Sequence, residues 1–316
     1  MKRERAEWLG GFAAAMAVAE GDLAIARGDQ VRVVVIGANG QLGSDLVKAL
    51  PPHEVAPVTH ADLDVVEADA VRAALEGRQP QVVINTAAFH KVETCEREPL
   101  RAYEVNALGA RNLALACRDL GCALVQLSTD YVFDGAKRSP YLESDAPRPV
   151  NAYGISKLAG EHYVRYLWEK HYIVRSSGLF GAASSSGRGG NFVETMLRAG
   201  REKGKATVVA DLVFSPTYAA DLAQAIARLI ETERFGTYHI TNAGECSWHD
   251  FAAEIFRQVG LNAALRPVTA REMSAEVARP AYSVLGHAAL KAAGLEPMRP
   301  WQEALADYLR ERKHLH

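Results

Sequence analysis

The sequence predicts an α/β fold: a doubly wound parallel sheet with a second, smaller α/β lobe. Three observations predict it. Short, almost continuously apolar strands recur at Val31–Ile36, Gln81–Asn85 and Ala123–Ser128, as strands buried on both faces of a parallel sheet should. Helical stretches separate them at the spacing of βαβ units. A glycine-rich turn, Gly37-Ala38-Asn39-Gly40-Gln41-Leu42-Gly43, lies between the first strand and the first helix.

Taken in order, Val31–Ile36 is followed by that turn and a helix through about Leu50, stopped by Pro51-Pro52. A second strand fits Glu54–Thr59, a short helix Asp69–Glu76, and a third strand Gln81–Asn85, which ends in the small-residue turn Thr86-Ala87-Ala88. Leu100–Leu120 reads as one long helix and Tyr153–Lys170 as another, with strands at Ala123–Ser128 and Tyr172–Arg175. After Gly178 the texture becomes irregular. Ala182–Gly190 is a Ser/Gly/Arg-rich loop, expected to close over substrate. Helices follow at Phe192–Lys203, Ala219–Glu231, Ser247–Val259 and Trp301–Leu309, with strands at Thr207–Ala210 and Gly236–Ile240. The division this implies is an extension over 1–30 and a dinucleotide-binding domain over 31–180, to which 217–242 returns. Residues 181–216 and 243–316 form the substrate lobe.

At 316 residues with 48% hydrophobic side chains, the chain has material for a large core. A net charge of −2 with both signs dispersed excludes a nucleic-acid or membrane-surface role, either of which needs a concentrated basic face. The four cysteines, Cys95, Cys117, Cys122 and Cys246, match no metal-ligand spacing and are read as buried free thiols. Residues 1–30 carry acidic intrusions in a Gly/Ala-rich apolar part and are read as an extension, not a secretory leader. No run reaches the ~18 apolar residues of a spanning helix. The expected location is cytoplasmic.

Glycines in a strand–turn–helix let the backbone approach a pyrophosphate, and the helix N-terminus offers free N–H groups. Gly37, Gly40 and Gly43 are spaced three and three. An ordinary glycine-rich turn is the alternative, but the buried strand before it favours a Rossmann-type phosphate site that includes Gly37 and Asn39. Val58-Thr59-His60 at the second strand end offers no carboxylate for a ribose 2′-hydroxyl and no arginine for a 2′-phosphate. NADPH and NADH therefore both remain, with NADPH slightly preferred. Asp64-Val65 is placed to reach the adenine, although Asp64 is equally a helix cap. Ala87-Ala88-Phe89-His90 lies at the third strand's carboxyl end.

Ser128-Thr129-Asp130-Tyr131-Val132-Phe133-Asp134-Gly135 and Asn151-Ala152-Tyr153-Gly154-Ile155-Ser156-Lys157 supply a hydroxyl, a phenol and an ammonium. Ketone reduction needs hydride at carbon and a proton at oxygen, and a phenol of pKa ~10 donates that proton if an ammonium favours its anion. Tyr153 and Lys157, four apart, share a helix face. Thr129, or alternatively Ser128, orients the carbonyl oxygen. Alone, Tyr-x-x-x-Lys is a common surface pair. After a Ser-Thr strand end and a glycine turn it reads as a carbonyl-reductase site.

These segments resemble the extended short-chain dehydrogenase/reductase superfamily and, within it, the dTDP-4-dehydrorhamnose reductases. Gly190-Asn191-Phe192, Ser215-Pro216-Thr217, Gly244-Glu245-Cys246-Ser247-Trp248 and Arg279-Pro280-Ala281-Tyr282-Ser283-Val284-Leu285 extend the resemblance from about Val31 to Leu309. It implies reduction of a 4-keto nucleotide sugar, with Thr129, Tyr153 and Lys157 catalytic. It places Gly40, Gln41, Leu42, Asp64, Val65, Ala88, Phe89 and His90 at the cofactor, and Thr129 and Asp130 at the hexose. Asn191 and Arg279 are candidates for the diphosphate, since an amide and a guanidinium suit phosphate oxygens; the alternatives are a helix cap and a surface salt bridge. Many relatives carry Trp at the position of Gly178 in the substrate pocket, and the usual Asp-Gln-x-Gly-Ser-Pro-Thr is here Asp211-Leu212-Val213-Phe214-Ser215-Pro216-Thr217. Both departures bear on which sugar is bound. The resemblance allows a homodimer, and some relatives bind Mg2+ at a dimer interface; no carboxylate cluster here supports a metal. The competing readings are a reductase or epimerase on another nucleotide sugar, and a non-catalytic, cofactor-binding regulatory subunit.

Overall fold

Val33 and Val35 face one side of strand β1 (Arg32–Ile36), and Val34 and Ile36 the other; all four are buried. That two-sided burial is why the segment carries no polar alternation. In the computed structural model, which describes residues 29–51, 53–183, 190–273 and 277–315, β1 lies inside a six-stranded sheet. The expected extension, up to residue 28, and the centre of the expected loop at 182–190 lie outside the described residues. β2 is Glu54–Val58, β3 Val82–Asn85, β4 Ala123–Thr129 and β5 His171–Ser176. The order runs Gly236–His239, β5, β4, β3, β1, β2, and every pairing is parallel. The chain reverses direction across the sheet between β1 and β3, the place where such sheets bind ligands at their carboxyl edge.

Two apolar layers cover the sheet. Val33 and Val35 pack with Leu42 and Leu46 of the Gln41–Ala49 helix and Leu222, Ile226 and Leu229 of the Ala219–Ile230 helix. Val34 and Ile36 pack with Val71, Leu75, Leu113, Cys117 and Val164 from helices Ala68–Glu76, Gly109–Leu120 and Ala152–Leu167. Leu290 and Met298, expected in the lobe, join the first layer instead. The edge strand Gly236–His239 needs cover, and the Ala288–Ala292 helix supplies it. A separate cluster of Phe180, Leu197, Phe214, Phe251, Trp301 and Tyr308 forms the lobe's core.

Two helices differ from the sequence reading. Leu100–Leu120 is not one α-helix: Pro99–Tyr103 passes into a π-helical turn over Glu104–Leu108 before Gly109–Leu120 resumes. Tertiary contacts impose the turn. Asn106 is drawn inward to bond Phe89 and Ser156, and a Cβ at Gly109 would stand 2.6 Å from Val65 Cγ2. Such turns are concentrated at functional sites. The second helix ends at Leu167 rather than Lys170, because Trp168 is extended and its indole N–H donates to the Cys122 carbonyl at 2.8 Å. All four cysteines are buried and free.

Candidate active site

A cleft of about 970 Å³ opens at the carboxyl edge of the sheet. Its floor begins at the glycine turn. Gly37 has φ +78°, and a Cβ there would lie 2.6 Å from Thr86 Oγ1, so the close approach of the β1 and β3 ends requires glycine. The Gln41–Ala49 helix that follows has Gly40 at its N-cap and no side-chain cap. Its first N–H groups are therefore left for an external acceptor, the fit a pyrophosphate needs. Asn39, Gly40, Gln41 and Leu42 line the cleft, as do Asp64, Val65 and Ala87–His90.

Asp64 accepts from the Val66 N–H at 3.1 Å and pairs with Arg101 at 3.4 Å. Arg101 itself lines the cleft, as does His60 at the end of β2. Sequence reasoning found no arginine at this end of the cleft because Arg101 comes from a helix some 40 residues further on. The expected residues, in the positions found, fit a nicotinamide dinucleotide: Gly37 to Leu42 would take the phosphates, and Asp64, Val65 and Arg101 the adenosine end.

At the centre, β4 delivers Thr129 and the Ala152–Leu167 helix delivers Tyr153 and Lys157. The helix begins where it does because the Asn151 side chain accepts from the Gly154 N–H at 2.9 Å. Thr129 Oγ1 donates to Asp130 Oδ1 at 3.0 Å and accepts from the Tyr131 N–H at 3.2 Å. Burial pushes the Tyr153 phenol well up, and the neighbouring Thr129 hydroxyl, able to donate to the phenolate, opposes this. Lys157 Nζ donates to the Leu127 carbonyl at 2.5 Å, and burial lowers it to about 8. Lys157 stands one helical turn from Tyr153 on the same helix and lines the same cleft. Burial also pushes His90 down and Cys95 up to about 11.

Ser128, the alternative donor, is engaged elsewhere: its hydroxyl donates to Glu161 at 2.5 Å. Asp130 is buried; Thr129 Oγ1 and Ser177 Oγ donate to it at 3.0 and 2.8 Å. Burial pushes its carboxyl up against those hydroxyls. Tyr131 packs edge-on against Tyr153, with ring centres 5.8 Å apart.

Gly178 lines the same cleft with φ +53°. The Phe214 ring lies directly over it and stacks in turn on Trp248, at 3.9 Å and 19°. Trp248 also faces the cleft. The indole was part of a quoted motif, but nothing in the sequence signalled its place here.

Two expected diphosphate ligands are elsewhere. Asn191 is a buried helix cap: its oxygen accepts from the Glu194 N–H, and its amide donates to the Gly181 carbonyl and Tyr308 Oη, each at 2.9 Å. No hydrogen is left over for a phosphate. Arg279 is ion-paired with Glu93 and lies outside the cleft lining. Among the described residues no group of three or more His, Cys, Asp or Glu side chains is placed to hold a metal, and no helix is long and apolar enough to cross a membrane.

The RmlD substrate binding domain family matches residues 31–314. A spore coat polysaccharide biosynthesis protein, SpsK, of Bacillus subtilis is 41% identical over 283 residues, 89% of this chain and 98% of that protein. A dTDP-4-dehydrorhamnose reductase of Streptomyces griseus is 41% identical over 87% of this chain and 92% of its own length. The crystal structure of a dTDP-4-dehydrorhamnose reductase from Bacillus anthracis in complex with NADP superposes with a TM-score of 0.85 at 41% identity, covering 90% of this chain and all of that one. A Thermus thermophilus UDP-glucose 4-epimerase, 23% identical with a TM-score of 0.77, shares the fold. With this match across the glycine turn, the Thr129–Tyr153–Lys157 centre and the lobe, the chain belongs to the dTDP-4-dehydrorhamnose reductases of the extended short-chain dehydrogenase/reductase superfamily.

Proposed function

We propose that the protein is an NAD(P)H-dependent oxidoreductase that reduces the 4-keto group of dTDP-4-dehydro-L-rhamnose to give dTDP-L-rhamnose, in the cytoplasm. The observation that carries this reading is that Thr129, Tyr153 and Lys157 line the same cleft as the glycine turn, with Lys157 one helical turn from Tyr153. A reduced nicotinamide bound there would supply hydride to the keto carbon. The Thr129 hydroxyl, turning its proton from Asp130 to the keto oxygen, holds that oxygen beside Tyr153. The phenol gives its proton to that oxygen as negative charge develops, leaving an alcohol and a phenolate that water reprotonates. Lys157, an ammonium at neutral pH, would hold the nicotinamide ribose and stabilise the phenolate. The apolar Trp248 face offers a platform for the hexose.

A second reading, reduction of a different nucleotide keto-sugar, is favoured by the Gly178–Phe214–Trp248 stack, which reshapes the sugar end of the cleft. The test is oxidation of NADPH and NADH, followed by absorbance, with dTDP-4-dehydro-L-rhamnose and other nucleotide 4-keto-sugars. Turnover of the rhamnose precursor at the highest kcat/KM supports the proposal. No turnover of any keto-sugar would leave the regulatory-subunit reading standing instead.

A further inference from the structure

Two neighbouring residues of β4 grip successive turns of the Ala152–Leu167 helix. The Leu127 carbonyl accepts from Lys157 Nζ, and Ser128 Oγ donates to Glu161 Oε1, both at 2.5 Å. Glu161 is fully buried and makes four charge-assisted or hydroxyl contacts. Arg175 Nε lies 2.9 Å from Oε1, and Arg175 Nη2 and Arg165 Nη2 each lie 2.7 Å from Oε2. Every carboxylate lone-pair direction is thereby used. The reductase reading assigns none of this network a task, yet it stands one helical turn from the ammonium in the cleft.

We infer that Glu161 is a positioning residue for Lys157, anchoring the helix turn to β4 so that the lysine lies along the strand and stays charged inside the cleft. A lysine this deeply buried loses charge unless an anion is near. Burial lowers Lys157, and Glu161 is the foremost group opposing that. The other titratable groups facing Lys157 are Cys95 from the Val92–Arg97 helix, His90 from the loop after β3, and Tyr153 on its own helix. Burial holds all three neutral near pH 7. Behind Glu161, His239 lies 3.3 Å from Arg175 Nη1 and is likewise neutral, pushed down to about 3. Glu161 is thus the anion that serves Lys157, and Arg175 and Arg165 set how much of its charge is felt there.

The inference takes its purpose from the reductase reading, but its test needs no substrate. Lysines of the full chain are labelled with 13C at the ε-carbon, and Lys157 is assigned by its loss in Lys157→Arg. Glu161→Gln is expected to lower the Lys157 titration by about one unit, a tenfold loss of proton affinity. The limb of the kcat/KM profile that reports Lys157 moves with it. Arg165→Gln removes a partly exposed cation and is expected to act the other way, raising proton affinity about two- to threefold. A folded Glu161→Gln protein whose Lys157 titrates as in the wild type overturns the inference. If that variant does not fold, Arg165→Gln decides alone: an upward shift supports it, and an unmoved or lowered titration overturns it. Absent turnover by the wild type would count against the reductase reading only.

Discussion

Replacing Gly178 with alanine tests the stack at the sugar end of the cleft. Two costs follow from the structure. With φ +53° the residue sits in the left-handed region, where an L side chain costs roughly 1–2 kcal/mol. The new methyl would also stand well under 3.0 Å from Phe214 Cδ2 and Cε2. That ring is 3% exposed and stacked on Trp248 at 3.9 Å, so it cannot retreat without moving the indole. Overpacking of this kind costs about 1–3 kcal/mol. Together the expected destabilisation is about 2–5 kcal/mol, a large share of the ~5–15 kcal/mol that holds a domain folded. Urea unfolding followed by tryptophan fluorescence measures it. The decisive comparison is Gly178→Ala with Phe214→Ala in one chain. Removing the ring removes the clash, so the double variant should be about 1–3 kcal/mol more stable than the sum of the singles. A wild-type midpoint for Gly178→Ala, or strict additivity of the pair, would refute the reasoning.

Three further outcomes are expected. Tyr153→Phe should lower kcat/KM about 10²–10⁴-fold while NADPH binding, followed by fluorescence, changes little; near-normal turnover would remove Tyr153 as the proton donor. Asn191→Ala should lose about 0.5–2 kcal/mol of stability with an unchanged KM for the nucleotide sugar, since its amide is a cap and not a phosphate ligand; a KM raised tenfold at normal stability would reverse that assignment. His239 is buried neutral, its Nδ1–H donating to the Tyr141 and Gly286 carbonyls, and its pKa is pushed down to about 3 by burial and by Arg175. The unfolded chain takes up a proton near pH 6.5 that the folded one refuses, so stability present above ~6.5 falls by about 1.4 kcal/mol per pH unit toward ~3. His239→Gln should flatten that slope in urea midpoints taken between about pH 7 and pH 4, and parallel slopes would sink the argument.

Much of this was legible in the sequence because one physical pressure acts at each place. β1 reads as a strand because both its faces are buried, and the glycine turn and the Tyr153–Lys157 spacing are local patterns that the backbone simply carries to the sheet edge. What was not legible depends on partners distant in sequence. The π turn at Glu104–Leu108 arises from Val65 and Ser156 crowding and bonding its inner face. Asn191 and Arg279 have side chains that suit phosphate, but Tyr308 and Gly181 take the first and Glu93 the second. Residue type states what a side chain can bind; only the fold states what reaches it first. Gly178 is the intermediate case: its departure from the usual tryptophan was visible, but its cause, a phenylalanine 36 positions later resting on its Cα, was not.

The place of Gly236–His239 bears on how the chain is made. This strand completes the sheet against β5, but it is synthesised only after the first part of the lobe. Roughly 60 residues separate it from Ser176, and at ~5–20 residues per second a growing chain waits about 3–12 s for them. Throughout that interval the outer edge of β5 offers unpaired N–H and C=O groups to any other strand. The nascent protein is therefore most open to mispairing in a window set by translation speed, and slowing the ribosome between these two strands should lower the yield of folded protein even though no residue has changed.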